Sequence, residues 1–143
     1  MTRVLSIGSV MCLLGCAQVA LSPSTSVCTD YAFDDDDDAL FIVQADTNGD
    51  GYGDSDDLLA GDDIVVSHVG VFMGCEDVFS PEITASGRTV EVREVWSENT
   101  DGACSLCFAP SVILEAAPKG KFSVTWYDGY ATEALAELEF RVE

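Results

Sequence analysis

Residues Asp46 to Asp57 read Asp-Thr-Asn-Gly-Asp-Gly-Tyr-Gly-Asp-Ser-Asp-Asp, and their types and spacing suit one chemistry, the capture of a hard divalent cation. Counted from Asp46, oxygen-bearing side chains stand at positions 1, 3, 5, 9 and 12, with glycine at 6, which is the spacing of a calcium-binding loop. Ca2+ takes about six to eight oxygens, so the chain must curl sharply; Gly51 permits the turn that brings the carbonyl of Tyr52 inward. Asp46, Asn48 and Asp50 are expected to bind through their side chains, Asp54 directly or through water, and Asp57 to close the shell. Without an ion, two carboxylates about 5 Å apart repel by roughly 3 kcal/mol at an effective dielectric of 20, and a divalent cation reverses that sign. Magnesium suits the loop less well, because it resists losing its waters. The plain alternative is a solvated acidic loop that never holds an ion.

This stretch resembles the calcium loops of thrombospondin type 3 repeats and of dockerins and other bacterial EF-hand-like modules, in which aspartate at position 12 is common. The resemblance covers 12 of 143 residues and is present in one copy, with Gly61 cutting short any helix after it. Asp57 replaces the glutamate usual at position 12 of EF-hands, and its shorter arm weakens bidentate closure. Upstream, Asp34 to Asp38 is a run of five aspartates, read as a solvated charge run with a second ion site as the lesser alternative.

Charge sets the possible partners. Six Lys and Arg stand against 26 Asp and Glu, a formal net charge of −20, so nothing is available to neutralise a phosphate backbone and nucleic-acid binding is excluded as a function. Cations are the natural partners. Such a charge also keeps a surface hydrated in a saline medium.

The N-terminus supplies an address. Arg3 precedes the uncharged, mostly apolar stretch Val4 to Leu14, which is too short to span a bilayer and reads as a signal peptide over residues 1–15. At its end Leu13-Leu14-Gly15-Cys16 resembles the lipobox of bacterial lipoproteins, which implies cleavage before Cys16 and a lipid on that cysteine, hence a membrane partner through the N-terminal lipid. By the same resemblance, Ala17 after the cysteine implies the outer membrane or cell surface rather than the inner membrane. The alternative is an ordinary cleavable signal, cut near Ala17 or Ala20, and a freely secreted protein. Both place the domain outside the cytoplasm. Ser22 to Ser26, Ser-Pro-Ser-Thr-Ser, has the composition of a flexible tether, so residues 16–27 are expected to be a lipid-anchored linker and the fold to start near Cys28.

Removing Cys12 with the signal and acylating Cys16 leaves Cys28, Cys75, Cys104 and Cys107. In an oxidising compartment four cysteines are most simply two disulfides with three possible connectivities. Cys28 with Cys75 and Cys104 with Cys107 is the favoured pairing, the first closing a long loop and the second pinning a turn. A zinc site from all four requires reduced thiols outside the cytoplasm. The C-x-x-C at Cys104 follows an Asp-Gly turn and precedes strand residues, unlike a thioredoxin-type motif, and Phe108 instead of histidine rules out haem attachment.

The remaining chemistry-bearing residues are few. His68 is the sole histidine and lies in an apolar strand, where a core or edge role is the ordinary one; no nucleophile elbow accompanies it, so no catalytic set is assigned. Trp96, Trp126, Tyr127 and Tyr130 are candidates for a sugar-binding platform, although alternation places Trp96 and Trp126 in the core.

The elements that position these residues read as strands. Between Asp30 and Asp63 thirteen aspartates are interrupted by one apolar run, Ala39 to Val43, a buried strand. Ile64 to Met73 is dominated by apolar and β-branched residues. Thr89 to Trp96 alternates, with Val90, Val92 and Trp96 on one face and Glu91 and Arg93 on the other. Val112 to Ala116, Phe122 to Tyr127 and Leu138 to Val142 continue the period of two, with Phe122, Val124, Trp126, Leu138, Phe140 and Val142 inward. Turns are marked at Ala85-Ser86-Gly87, Asn99-Thr100-Asp101-Gly102, Pro118-Lys119-Gly120 and Asp128-Gly129. Asp57 to Ala60 and Ala131 to Glu137 are the two candidate helical segments. The pattern predicts a mainly β chain, an antiparallel, Ig-like β-sandwich over residues 28–143 that includes the acidic loop. Ser80 to Glu143 is similar in outline to β-sandwich domains of small bacterial lipoproteins. The expected role is that of a non-enzymatic envelope lipoprotein that binds calcium for structure, adhesion or scaffolding; the alternative is a calcium-dependent carbohydrate- or protein-binding module.

Overall fold

The structure, a computed structural model, describes residues 19–28, 40–99 and 104–143. The signal segment, Cys16, Asp34 to Asp38 and the Thr100 to Gly102 part of one turn lie outside the described residues.

Among the described residues the chain is built of strands, and no helix is long and apolar enough to cross a membrane. One sheet holds β1 (Ala20–Val27), β9 (Ser105–Glu115), β3 (Asp63–Val69) and β2 (Leu40–Asp46) in that order, with β4 (Val71–Gly74) beside the first half of β9. The second sheet runs β11 (Ala136–Val142), β10 (Gly120–Asp128), β7 (Thr89–Glu94), β6 (Glu82–Ser86), and a small ladder joins β5 (Val78–Phe79) to β8 (Trp96–Ser97). Pairing is antiparallel except between β10 and β7.

Alternation explains the packing. Val90 and Val92 on β7, Phe122, Val124 and Trp126 on β10, and Val142 on β11 turn inward, and they meet Ala45, Ile64, Val66, Val112 and Leu114 of the other sheet in one buried cluster. Each such large side chain contributes about 1.5–3 kcal/mol of burial. Leu138 and Phe140 pack on the same cluster. This is the two-layer β architecture expected from the periodicity.

Four local expectations are corrected. Ser22 to Ser26 is an edge strand, not a tether: β1 pairs with β9 along its whole length, from Ala20 opposite Glu115 to Val27 opposite Phe108, so among the described residues the fold already includes Ala20 and does not start near Cys28. Pro23, which made the segment look like linker, is compatible with a strand at the sheet edge because, among the described residues, only one side of β1 is paired. Ile64 to Met73 is two strands, because Pro110 on the central strand β9 has no N–H to offer; β3 pairs with β9 as far as Ser111, and the chain gives way at Gly70 before β4 resumes at Phe108. Neither candidate helix forms, since residues 57–60 run irregularly against the C-terminus and Ala136 already belongs to β11.

The disulfides are Cys28–Cys107 and Cys75–Cys104, with Cα separations of 5.4 and 5.5 Å. The favoured pairing of Cys104 with Cys107 fails because Cys107 lies on an extended strand, where β1 and β4 flank β9 and deliver Cys28 and Cys75. On the chain-entropy relation, loops of 79 and 29 residues stabilise by about 4.5 and 3.6 kcal/mol. Non-reducing peptide mapping should therefore recover these two linked pairs, and C28A/C107A should lose more stability than C75A/C104A. Recovery of a Cys104–Cys107 peptide would contradict the arrangement.

Candidate functional site

The acidic loop leaves sheet one at the end of β2 and is closed by a bridge between Ala45 and Ser55, whose amides and carbonyls exchange bonds of 2.8 and 3.1 Å. Inside that closure the side chains organise the backbone. Asp46, only 7% exposed, accepts the Gly49 and Gly51 N–H groups on its two oxygens at 2.8 Å each. Asn48 Oδ1 accepts from Asp50 N at 3.0 Å, and Asp50 Oδ1 from Tyr52 N at 2.9 Å. Gly51 has φ of +88°, a conformation that favours glycine. Gly53 is needed for a different reason: a Cβ there would lie 2.5 Å from Gln44 Cβ.

Asp46, Asn48, Asp50 and Tyr52 are thus brought onto one curl. Of the other two expected ligands, Asp54 is engaged elsewhere: its Oδ1 accepts from both the amide and the hydroxyl of Thr47, at 3.0 and 2.8 Å. Asp57 is held through its backbone, its amide donating to Ser55 Oγ at 3.1 Å. Among the described residues no group of three or more His, Cys, Asp or Glu side chains is gathered as a metal cluster. The donors are hard oxygens of the kind Ca2+ prefers, and no Lys or Arg stands between Arg3 and Arg88 to compete for them. Tyr52 also lines a groove of about 400 Å3 with Thr25, Ser26, Asp77, Phe79 and Phe108.

The other constellation is internal. His68 and Glu94 are 5% and 6% exposed, with His68 Nδ1 2.6 Å from Glu94 Oε2. Trp126 Nε1 donates to the same oxygen at 2.8 Å, and Trp96 Nε1 donates to Oε1 at 3.1 Å. One carboxylate therefore ties β3 of the first sheet, β7 and β10 of the second, and β8 of the small ladder. Phe41 stacks on the imidazole, ring centroids 4.5 Å apart. His68 Nε2 is buried without a hydrogen-bond partner among the described residues. Burial by itself raises the pKa of Glu94, but the hydrogen bond and charge of His68 and the two indole N–H groups outweigh it and hold the carboxyl below its ordinary value. Removal from solvent suits a tie between layers, not an exposed reacting centre.

Glu94 was not singled out from the sequence, although a signal was there: it follows Val90 and Val92 at the period of two, so alternation alone turns a carboxylate into the core. The aromatic platform is not formed. Trp126 is fully buried, Trp96 packs between Phe79 and Phe108, Tyr127 lies under Arg93 at 4.3 Å, and only Tyr130 is widely exposed, at 73%.

Comparison with protein-family models, with curated proteins and with solved structures returned no match.

The lowered pKa of Glu94 has a consequence for stability. The ionised carboxylate stabilises the fold in full above the unfolded-state value of 4.5, and that contribution disappears as pH falls through the lower folded-state value. Glu94→Gln should cost about 3 kcal/mol at neutral pH, because it leaves buried donors imperfectly met. Denaturant unfolding from pH 7 to pH 3 should show the wild-type advantage over E94Q shrinking with acid. A difference that stays constant over that range would contradict the tie.

Proposed function

We propose that this chain is an extracytoplasmic, non-enzymatic protein of the cell envelope, lipid-anchored through Cys16, that takes Ca2+ in the Asp46–Asp57 loop and serves a structural, adhesion or scaffolding role. The observation that carries the calcium reading is the curl itself. Asp46, Asn48 and Asp50 each accept backbone N–H groups from residues two to five positions ahead, so the side chains that would bind the ion are the ones that curl the backbone. Ca2+ would be held by Asp46, Asn48, Asp50 and the carbonyl of Tyr52, with Asp54 released from Thr47 and Asp57 swung in to complete the shell. The ion supplies the positive charge that this half of the chain lacks. Two disulfides support a compartment that is oxidising, and the core is that of an Ig-like sandwich in this reading.

A second reading, a calcium-dependent carbohydrate- or protein-binding module, is favoured by the place of Tyr52. Its carbonyl belongs to the proposed ion shell and the same residue lines the groove, so an ion that fixes the loop would also fix one wall of that groove.

Thermal unfolding in Ca2+ against EGTA tests the ion. At a concentration 100-fold above Kd the stabilisation is about 2.7 kcal/mol, which moves the midpoint upward by several degrees; equal midpoints would contradict the calcium reading. For the anchor, Cys16→Ser should shift the protein from the membrane fraction to the soluble fraction, and unchanged fractionation would contradict lipidation.

A further inference from the structure

The five basic residues among those described are Arg88, Arg93, Lys119, Lys121 and Arg141, and four of them share one end of the sandwich. The register places them. Ala20, where β1 begins, is opposite Glu115 at the end of β9, and Lys119 lies in the turn that follows. Gly120 is opposite Val142 and Lys121 opposite Arg141, while Arg88 donates to the Lys119 carbonyl at 2.8 Å and covers Phe122 at 5.8 Å. Arg93 stands apart, further along β7, tied to the carbonyls of Gly129 and Ala131.

This is the end at which the chain enters from Cys16. Three residues separate Cys16 from Ala20, four steps along the chain and a reach of about 14 Å at full extension. On the anchor reading proposed above, on which this inference rests, the basic corner is thus held close to the headgroups, where the surface field still acts. Lys121 and Arg141 face Glu139 and Glu143 at 2.9 and 3.8 Å, but these ion pairs are well exposed and of a kind worth little. Exchanging such a carboxylate for a lipid phosphate therefore costs little. Asp62, Asp63 and Glu115 lie at the same end on the strands and connections of the first sheet, so the cations of this end are confined to the second layer, where Glu139 and Glu143 are their paired acids.

We propose that the corner formed by Arg88, Lys119, Lys121 and Arg141 docks on anionic phospholipid headgroups of the membrane that carries the chain, and so sets the orientation of the domain. A protein of net charge −20 is otherwise repelled by such a surface, and this corner is where its cations are collected. A lipid chain and a basic patch then act as two joined signals.

Lys119 and Lys121 are the only lysines in the chain, which makes them a built-in reporter. Residues 16–143, with the other four cysteines in disulfides, can be coupled through the Cys16 thiol to a maleimide phospholipid, so that the domain is anchored whether or not a cell lipidates it. Acylation of both lysines by an amine-reactive ester is then followed by mass spectrometry on phosphatidylcholine vesicles with and without phosphatidylglycerol, in EGTA. The expected result is acylation at least about fivefold slower on the phosphatidylglycerol vesicles, restored by 0.5 M NaCl and by R88Q/R141Q. Equal rates on both vesicles would overturn the proposal, as would slowing on both alike, which is mere crowding by the anchor. Failure of C16S to change fractionation in cells would instead count against the anchor.

Discussion

A chain with 26 carboxylates and six basic side chains carries far more acids than Lys and Arg can partner. The structure answers this constraint with N–H groups. In the interior, Glu94 is met by one imidazole and two indoles. In the loops and turns, Asp46, Asp50, Asp54, Asp63 and Asp77 accept backbone amides, of Gly49 and Gly51, Tyr52, Thr47, Ala116, and Gly74 and Asn99 respectively. A carboxylate hydrogen-bonded to donors in this way is stabilised in its charged form, and the backbone is ordered in return.

The consequences differ with depth. Around Glu94 water is excluded, so losing a partner is costly and the carboxylate works as a joint between layers. In the loop Asp46 is buried while Asp50 and Asp54 are exposed, and the N–H groups they accept hold the carboxylates without neutralising them. That is the physical basis for assigning the loop to Ca2+: the backbone is curled by the same side chains that would bind the ion. Both disulfides fasten strands of the base-free half of the chain to β9, holding together the part of the molecule with the greatest self-repulsion.

Much of this was legible in the sequence, and the exceptions are instructive. Strict alternation identified the inward faces of β7, β10 and β11, because burial on one face leaves a period of two. Alternation also marks Glu94 as inward, but a charged letter at an apolar position is hard to credit until its partners on three other strands are known. Ser22 to Ser26 misled because small polar residues and a proline describe an edge strand as well as a tether, and only the partner β9 distinguishes them. Disulfide pairing depends on which strands flank β9, a tertiary fact. In the acidic loop, spacing gave the curl of Asp46, Asn48, Asp50 and Tyr52, whereas the bonds of Asp54 to Thr47 depend on a closure between Ala45 and Ser55 that no motif encodes.

The account turns on the inner oxygens of the loop being a seat for calcium. Amide NMR of the folded protein during a Ca2+ titration addresses this directly, since Gly49, Gly51 and Tyr52 donate to the carboxylates that would take the ion. Saturable shifts at those amides, with Val124 and Trp126 of the core unmoved, are expected. Loop amides indifferent to Ca2+ while exposed acids elsewhere respond weakly and without saturation would contradict it.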